Sequence, residues 1–300
     1  MAKKSAKVAL AYFITLLIAF LVFGGLLYYL ANHLLEPEKQ TTPAQPNFAG
    51  GADEADGSYK PSKSDSQAIL LIAETDKKQT STSFILLKTL PVERGLVVTA
   101  LPGDSYANVN GEENSIFEFY RTQGVLAAVK AAESAAGMTI DKYLKVNTES
   151  LSLLINVFGG IDFDIPYNLI HEVPGGNDII IREGQTYLDA DTLIKVITFP
   201  AYREGEQYRA RITTMIAAEL INKNVNAGFS GRIDSAFNLI INSDIETNIT
   251  AYDYAEKADS LKYIAENQGD IAIPLVAMGE YNENGLFVFE PNFVQLLNHF

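Results

Sequence analysis

Residues 68–101 read AILLIAETDKKQTSTSFILLKTLPVERGLVVTAL. Three apolar runs stand in that stretch: Ala68–Ala73, Phe84–Thr89 and Gly95–Leu101. Each has strand length, large aliphatic side chains and polar or turn-forming flanks. Pro91-Val-Glu-Arg94 supplies the turn between the second and the third. Runs this continuously apolar predict strands covered on both faces, hence a central sheet.

Downstream, helical and extended patterns alternate. Gln123–Gly137 has helical composition and closes on Gly137, a natural C-cap. Tyr143–Val146 reads as a short strand. Thr148–Phe158 reads as a helix stopped by Gly159-Gly160. Ile161–Ile165 alternates apolar and polar, a strand with one wet face, and Pro166 ends it. Helices are expected at Leu188–Ile197, Gln207–Val225, Gly231–Ile241 and Tyr252–Asn267. A strand at Ile271–Val276 follows. Then comes a hairpin, Met278–Asn282 with Leu286–Glu290, turning at Glu283-Asn284-Gly285. The last helix, Pro291–Phe300, starts on proline. This order predicts an α/β fold, a mixed central sheet flanked by helices.

Upstream, Val8–Leu30 holds 23 residues without a charge. A helix of that length crosses a hydrocarbon layer of roughly 30 Å. Lys3, Lys4 and Lys7 precede it, so the positive-inside rule places the N-terminus in the cytoplasm. The apolar run is longer than a signal-peptide core, and no A-x-A site follows it. The expected layout is a cytoplasmic tail at 1–7, a transmembrane helix at 8–30, a flexible linker at 31–66 and an extracytoplasmic domain at 67–300. The linker is rich in Pro, Gly, Ser, Thr and acids, and cannot offset the entropy of ordering.

The net charge is −14. Residues 1–39 carry four lysines and two glutamates, a net of +2, which leaves −16 on the rest. Such a domain repels nucleic-acid phosphates, so no nucleic-acid partner is expected. With no cysteine, thiol catalysis, Cys-ligated zinc and disulfides are excluded. Only His171 lies within the domain and away from its end, and no G-x-S-x-G elbow accompanies it, which argues against a serine hydrolase.

Six stretches, in order, resemble the LytR-CpsA-Psr family. They are AILLIAETD (68–76), ALPGDS (100–105), Gly124–Val146, GGIDFDIP (159–166), GQTYLDADTLI (184–194) and Tyr202–Arg211. The resemblance covers roughly residues 67–225. It implies a three-layer α/β domain outside the cell membrane that binds a polyprenyl-linked phosphate or pyrophosphate. Arginines would hold the phosphates, acidic residues would hold Mg²⁺, and a greasy pocket would take the lipid tail. The implied reaction moves a glycopolymer from its lipid carrier to peptidoglycan, with the bilayer, the lipid-linked glycopolymer and peptidoglycan as partners.

The sequence departs from the family pattern where the chemistry sits. The arginine of the family's S-[IL]-P-R-D motif is Gly103 here, and Asp104 keeps the aspartate. The early R-[ST]-D motif would fall near Thr80-Ser-Thr82, without its arginine or aspartate. A tandem arginine pair would fall on Thr198 and Pro200. The resemblance then implies Asp104 and Arg211 as catalytic residues, Arg203, Arg209 and Arg211 as substrate-binding residues, and Asp104 and Asp76 as Mg²⁺ ligands.

Each candidate has a plainer reading. Asp104 could cap the turn after Pro102-Gly103. The three arginines sit among Glu204 and Glu206, where solvated ion pairs account for them equally well. Asp162 and Asp164 read as the wet side of a strand, and His171 as an exposed loop residue. The alanine-rich stretch at 126–136 fits close packing, or a lipid-tail pocket. Two functions are therefore expected: a divergent phosphotransferase, or a catalytically degenerate relative that binds envelope lipids or partners without turnover.

Overall fold

The computed structural model describes residues 59–74, 82–173 and 178–300. The transmembrane helix expected at 8–30, most of the expected linker and Asp76 lie outside the described residues. Residues 57–300 form one compact unit.

The three apolar runs become β1 (Ala68–Glu74), β2 (Thr82–Leu90) and β3 (Gly95–Leu101). They pair antiparallel in sequence order, with Leu71 opposite Ile85 and Leu87 opposite Val98. β6 (Lys142–Val146) adds parallel to β1, and β12 (Ala272–Pro274) adds parallel to β3. β11 (Ile245–Thr247) closes the other edge, antiparallel to β6. The six-stranded order is β11-β6-β1-β2-β3-β12. It is the mixed central sheet that the alternation of elements predicts.

Strand alternation gives the sheet two apolar faces. Leu70, Ile72, Phe84 and Leu86 point to one side. There they meet α1 (Ile116–Gln123), α2 (Val125–Ala136) and α9 (Pro291–His299). Ala128, Ala131, Ala132 and Ala136 of α2 are fully buried, so the small side chains serve close packing against the sheet. Leu71, Ile85, Val98 and Ala100 point to the other side. This face is covered by α3 (Thr148–Phe158), α4 (Ala190–Ile197) and α5 (Gly205–Asn224). Beyond them a helix trio, α6 (Ala227–Ser230), α7 (Ile233–Ile241) and α8 (Ala251–Ala265), has its own cluster around Phe229, Ile233 and Ala265.

Several segments differ from expectation. Residues 106–123 form a hairpin, β4 (Tyr106–Val109) with β5 (Glu112–Ser115), leading straight into α1. Its strands are polar and lack the hydrophobic alternation that marks strands in sequence. The turn signal was Asn110-Gly111, both at positive φ (55° and 89°). Leu188 ends strand β10 (Gly184–Leu188), which pairs with β7 (Ile161–Ile165), and α4 starts only at Ala190 behind its Asp189 N-cap. β8 (Leu169–His171) pairs with β9 (Ile179–Ile181). His171 is half-buried with its ring edge against Phe199 (6.2 Å), so it packs rather than standing free. The predicted hairpin forms as β13 (Gly279–Tyr281) and β14 (Phe287–Phe289).

At the start of α8, Asp253 closes a capping box with Thr250 and pairs with Lys142 at 2.6 Å. The lysine and the Thr250 bonds lower its pKa from 3.8 to about 2. A carboxylate more acidic in the fold than in the unfolded chain stabilises above its unfolded pKa and loses that contribution as pH falls through the folded value. Asp253→Ala is therefore expected to lower Tm at neutral pH, with the gap closing between about pH 4 and pH 2. Thermal denaturation across that range checks it; a pH-independent gap would contradict the assignment.

Candidate functional site

At one end of the sheet the carboxyl ends of β1 and β3 meet the amino end of β2, the position where open α/β sheets bind ligands. β3 runs out into Pro102-Gly103-Asp104-Ser105. A bond within the loop and bonds from α1 and β14 hold its backbone. Ser105 N–H donates to the Pro102 carbonyl (3.0 Å), Phe117 N–H of α1 to the Gly103 carbonyl (2.8 Å), and Phe287 N–H of β14 to the Asp104 carbonyl (3.0 Å).

Asp104 is half-buried. Its Oδ1 is buried with no partner, and Tyr281 of β13 lies nearby. Burial raises its pKa above the ordinary aspartate value, and the nearby Glu206 carboxylate adds to the rise. Tyr281 and the Arg209 charge oppose it.

Arg209 enters the same place from the first turns of α5. Only 7% exposed, it donates from Nη2 to the Thr82 carbonyl (3.0 Å) and pairs with Glu206 one turn earlier. A Cβ placed on Gly103 would lie 3.4 Å from Glu206 Oε2 and 3.5 Å from Phe117 Cβ, so a longer side chain there would project toward the same carboxylate. Beside Glu206 and Arg209 lies a cavity of about 10 Å³, also lined by Ser83, Phe84 and Thr213, with room for about one water. The buried Thr213 hydroxyl has no partner.

Thr213 also lines the next cavity, about 200 Å³, between Leu71 and Ile85 of the sheet and Ile155, Ile197 and Ile216 of the helices. A third cavity, about 320 Å³, continues toward the trio and is walled by Phe229, Ile233, Phe237 and Leu261. Ile69, Leu87, Phe158, Ile221 and Ile240 line both, so the two adjoin. Both are lined almost wholly by apolar surface. They lie on the face opposite the alanine-rich α2.

The sequence candidates therefore separate. Asp104 and Arg209 come together. Arg211, about 200° round the helix from Arg209, is exposed and outside this group. Arg203 is also exposed, its guanidinium 4.5 Å above the Tyr167 ring, while the Tyr167 hydroxyl accepts from Arg203 N–H and bonds Glu204. Asp162 and Asp164 are solvated, as their alternation predicts. Glu206, Thr82, Thr213 and Tyr281 escaped the sequence reading as a group. They converge only through the fold, and Tyr281 is far from the rest along the chain. A second polar group sits alongside: the Tyr120 hydroxyl donates to Glu74 (2.6 Å), and Lys145 lies 3.5 Å from Glu74 and from Glu246.

For a divalent cation the described residues offer the unpartnered Oδ1 of Asp104, with Glu206 beside it. Among the described residues no group of three or more His, Asp or Glu side chains converges. A sparse set suits Mg²⁺, which keeps several waters and takes one or two carboxylates plus substrate phosphates.

The LytR_cpsA_psr family pattern matches residues 33–297. The chain belongs to the LytR_cpsA_psr family. It is 25% identical over 233 residues to the polyisoprenyl-teichoic acid–peptidoglycan teichoic acid transferase TagU of Bacillus cereus, covering 72% of this chain and 71% of TagU. Its fold matches a crystal structure from Eubacterium siraeum with a TM-score of 0.71 at 18% identity, covering 85% of this chain and 98% of that one. It also matches TagT bound to LI-WTA with a TM-score of 0.56 at 15% identity, covering 78% and 88% of the two chains. Within this family fold, Arg209 is the buried guanidinium near Asp104.

A carboxyl that binds protons more tightly in the fold than in the unfolded chain costs stability as pH rises through that window. Asp104→Asn is expected to raise Tm at neutral pH, by an amount that shrinks toward acid pH. Melting curves of the two proteins at several pH values test this; an unchanged or lower Tm at neutral pH would overturn it.

Proposed function

We propose that this chain is a membrane-anchored protein of the outer membrane face. It binds a polyprenyl-linked phosphate glycolipid for attachment of the glycan to peptidoglycan. The observation that carries the reading is the path from polar to apolar. Asp104 and Arg209 stand at the sheet end, Thr213 joins that end to the first apolar cavity, and the second cavity follows. A phosphate headgroup with a long hydrocarbon tail has this polarity. The teichoic acid transferase TagU and the LI-WTA bound to TagT support the same substrate class.

In this reading Arg209 carries a permanent charge for the phosphate. An acceptor hydroxyl attacks the glycan-side phosphorus; that P–O bond forms as the bond to the polyprenyl phosphate breaks, and the hydroxyl proton leaves to solvent. Asp104, Glu206 or both would hold Mg²⁺, which when bound offsets charge on the leaving phosphate. One observation favours a second reading, binding without turnover: the guanidinium at 103 is missing, and the remaining one is already paired with Glu206.

Ala217 lines the first apolar cavity. Ala217→Phe is expected to weaken undecaprenyl pyrophosphate binding roughly tenfold or more, since losing even two buried methylenes, ~0.8 kcal/mol each, has that effect. Titration of the full-length protein in detergent measures it, and formation of undecaprenyl phosphate, with water standing in as the acceptor, follows turnover. No binding by the native protein would sink the reading, whereas binding without turnover selects the second form. Separately, a reporter active only outside the cytoplasm, fused behind Phe300, is expected to be active; a signal confined to the cytosol would remove the anchoring.

A further inference from the structure

Residues 199–209 join α4 to the first turns of α5 and read FPAYREGEQYR. Their three aromatic rings gather with Tyr167, from the turn after β7, in two layers. The inner layer is buried. Phe199 and Tyr202 lie edge-to-face at 5.3 Å, and the Tyr202 hydroxyl donates to the Val196 carbonyl (3.0 Å). The outer layer is half-buried. Tyr167 and Tyr208 stack at 6.0 Å, and both rings contact Tyr202, at 6.4 and 5.7 Å. The outer rings are thus held in place while part of each still meets solvent.

This cluster stands beside the Asp104–Arg209 site. Ser83 lines the small cavity with Glu206 and Arg209, and its hydroxyl donates to the Ile197 carbonyl (2.9 Å) at the end of α4. Tyr208 directly precedes Arg209 on α5.

The Tyr167 hydroxyl spends both its functions on one loop. It accepts from Arg203 N–H (3.1 Å) and donates to the Glu204 carboxylate (2.9 Å). That fixes the ring against Arg203, whose guanidinium rests 4.5 Å from its centroid. Glu204, the adjacent acid, is engaged by the phenol. Among the described residues no carboxylate forms an ion pair with Arg203. In a chain of net charge −14, an exposed arginine is therefore held flat on a ring with its fork of N–H donors unclaimed. Such a fork matches a carboxylate or a phosphate, and stacking it in advance lowers the entropy lost on binding.

We propose that Arg203, Tyr167 and Tyr208 form a binding site for an acidic sugar, with the anionic group on the Arg203 fork and the C–H face of the sugar beside the tyrosine rings. This rests on the reading of the neighbouring site as one that transfers a glycan, and it locates a grip on the glycan outside the Asp104–Arg209 group. A phosphate on the glycopolymer and a carboxylate on a peptidoglycan strand share the required chemistry.

The test is ligand-observed NMR titration of the full-length protein in detergent with N-acetylglucosamine 1-phosphate, N-acetylmuramic acid and neutral N-acetylglucosamine. At least one acidic sugar is expected to bind about tenfold more tightly than the neutral one. Preference for the phosphate points to the donor glycan, and preference for the carboxylate to the acceptor. Arg203→Gln should lower acidic-sugar affinity about tenfold or more, and Arg203→Lys should not restore it, since an ammonium lacks the fork. Undecaprenyl pyrophosphate, which carries no sugar, should bind native and Arg203→Gln proteins equally. The proposal is overturned if neither acidic sugar binds, if the neutral sugar binds as well, or if Arg203→Gln changes nothing. An equal loss of undecaprenyl pyrophosphate binding in Arg203→Gln also overturns it, because Arg203 would then belong to the phosphate site. Should the native protein fail to bind undecaprenyl pyrophosphate, the substrate reading falls, and the sugar titrations still decide the fate of this site.

Discussion

The backbone of residues 102–105 is tied from three directions, and the polar end of the molecule depends on that. Its carbonyls accept from the loop itself, from the start of α1 and from β14. A loop at the end of a strand would otherwise be among the more mobile parts of a fold. Here it carries a carboxylate whose charged form is disfavoured by burial, and such a group keeps its geometry only when its surroundings are fixed. The anchors also explain why the C-terminal segment belongs to the main body. β11 and β12 complete the sheet edges, and the β13–β14 hairpin completes the loop.

The two faces of the sheet are used differently. On one face α2 buries its alanines and packs closely on α1 and β4. On the other face α5 lies close along β3, while branched and aromatic side chains of α3, α4 and α5 line apolar space. The trio α6–α8, with its own small cluster, borders further space of the same kind. Both spaces are half open to solvent, and apolar surface left facing water forgoes the free energy of burial unless something covers it, which is the physical ground for reading them as a tail site.

Sheet strands were legible in the sequence because they are buried on both faces, and burial writes itself as unbroken apolar runs. A helix end was legible where a glycine stops it, as at Gly137, whereas the helix from Thr148 is capped by Asn147 rather than by a threonine or serine. The hairpin at 106–115 was not legible, because Ala107 is its one fully buried apolar residue, too little to write an apolar run. For the site, Asp104 and Arg209 were proposed from the family resemblance. Separating Arg209 from Arg211 required the helix phase against the sheet, and that phase is set by packing.

The charge balance at the sheet end bears on chemistry more than the count of arginines does. Arg209 and Glu206 neutralise each other, and Asp104 adds one further acid whose charged form is already disfavoured. Such a site is near neutral before any ligand arrives. An incoming pyrophosphate would have to draw Arg209 away from Glu206, and the freed carboxylate would then repel it unless a cation took that position. Glu206 released by the phosphate and Asp104 would then form the cation's protein ligands together. On this view cation and phosphate bind with positive coupling, each removing the charge that opposes the other. On the reading proposed above, such coupling would let one buried arginine serve, because the attraction would be assembled only when both ligands are present.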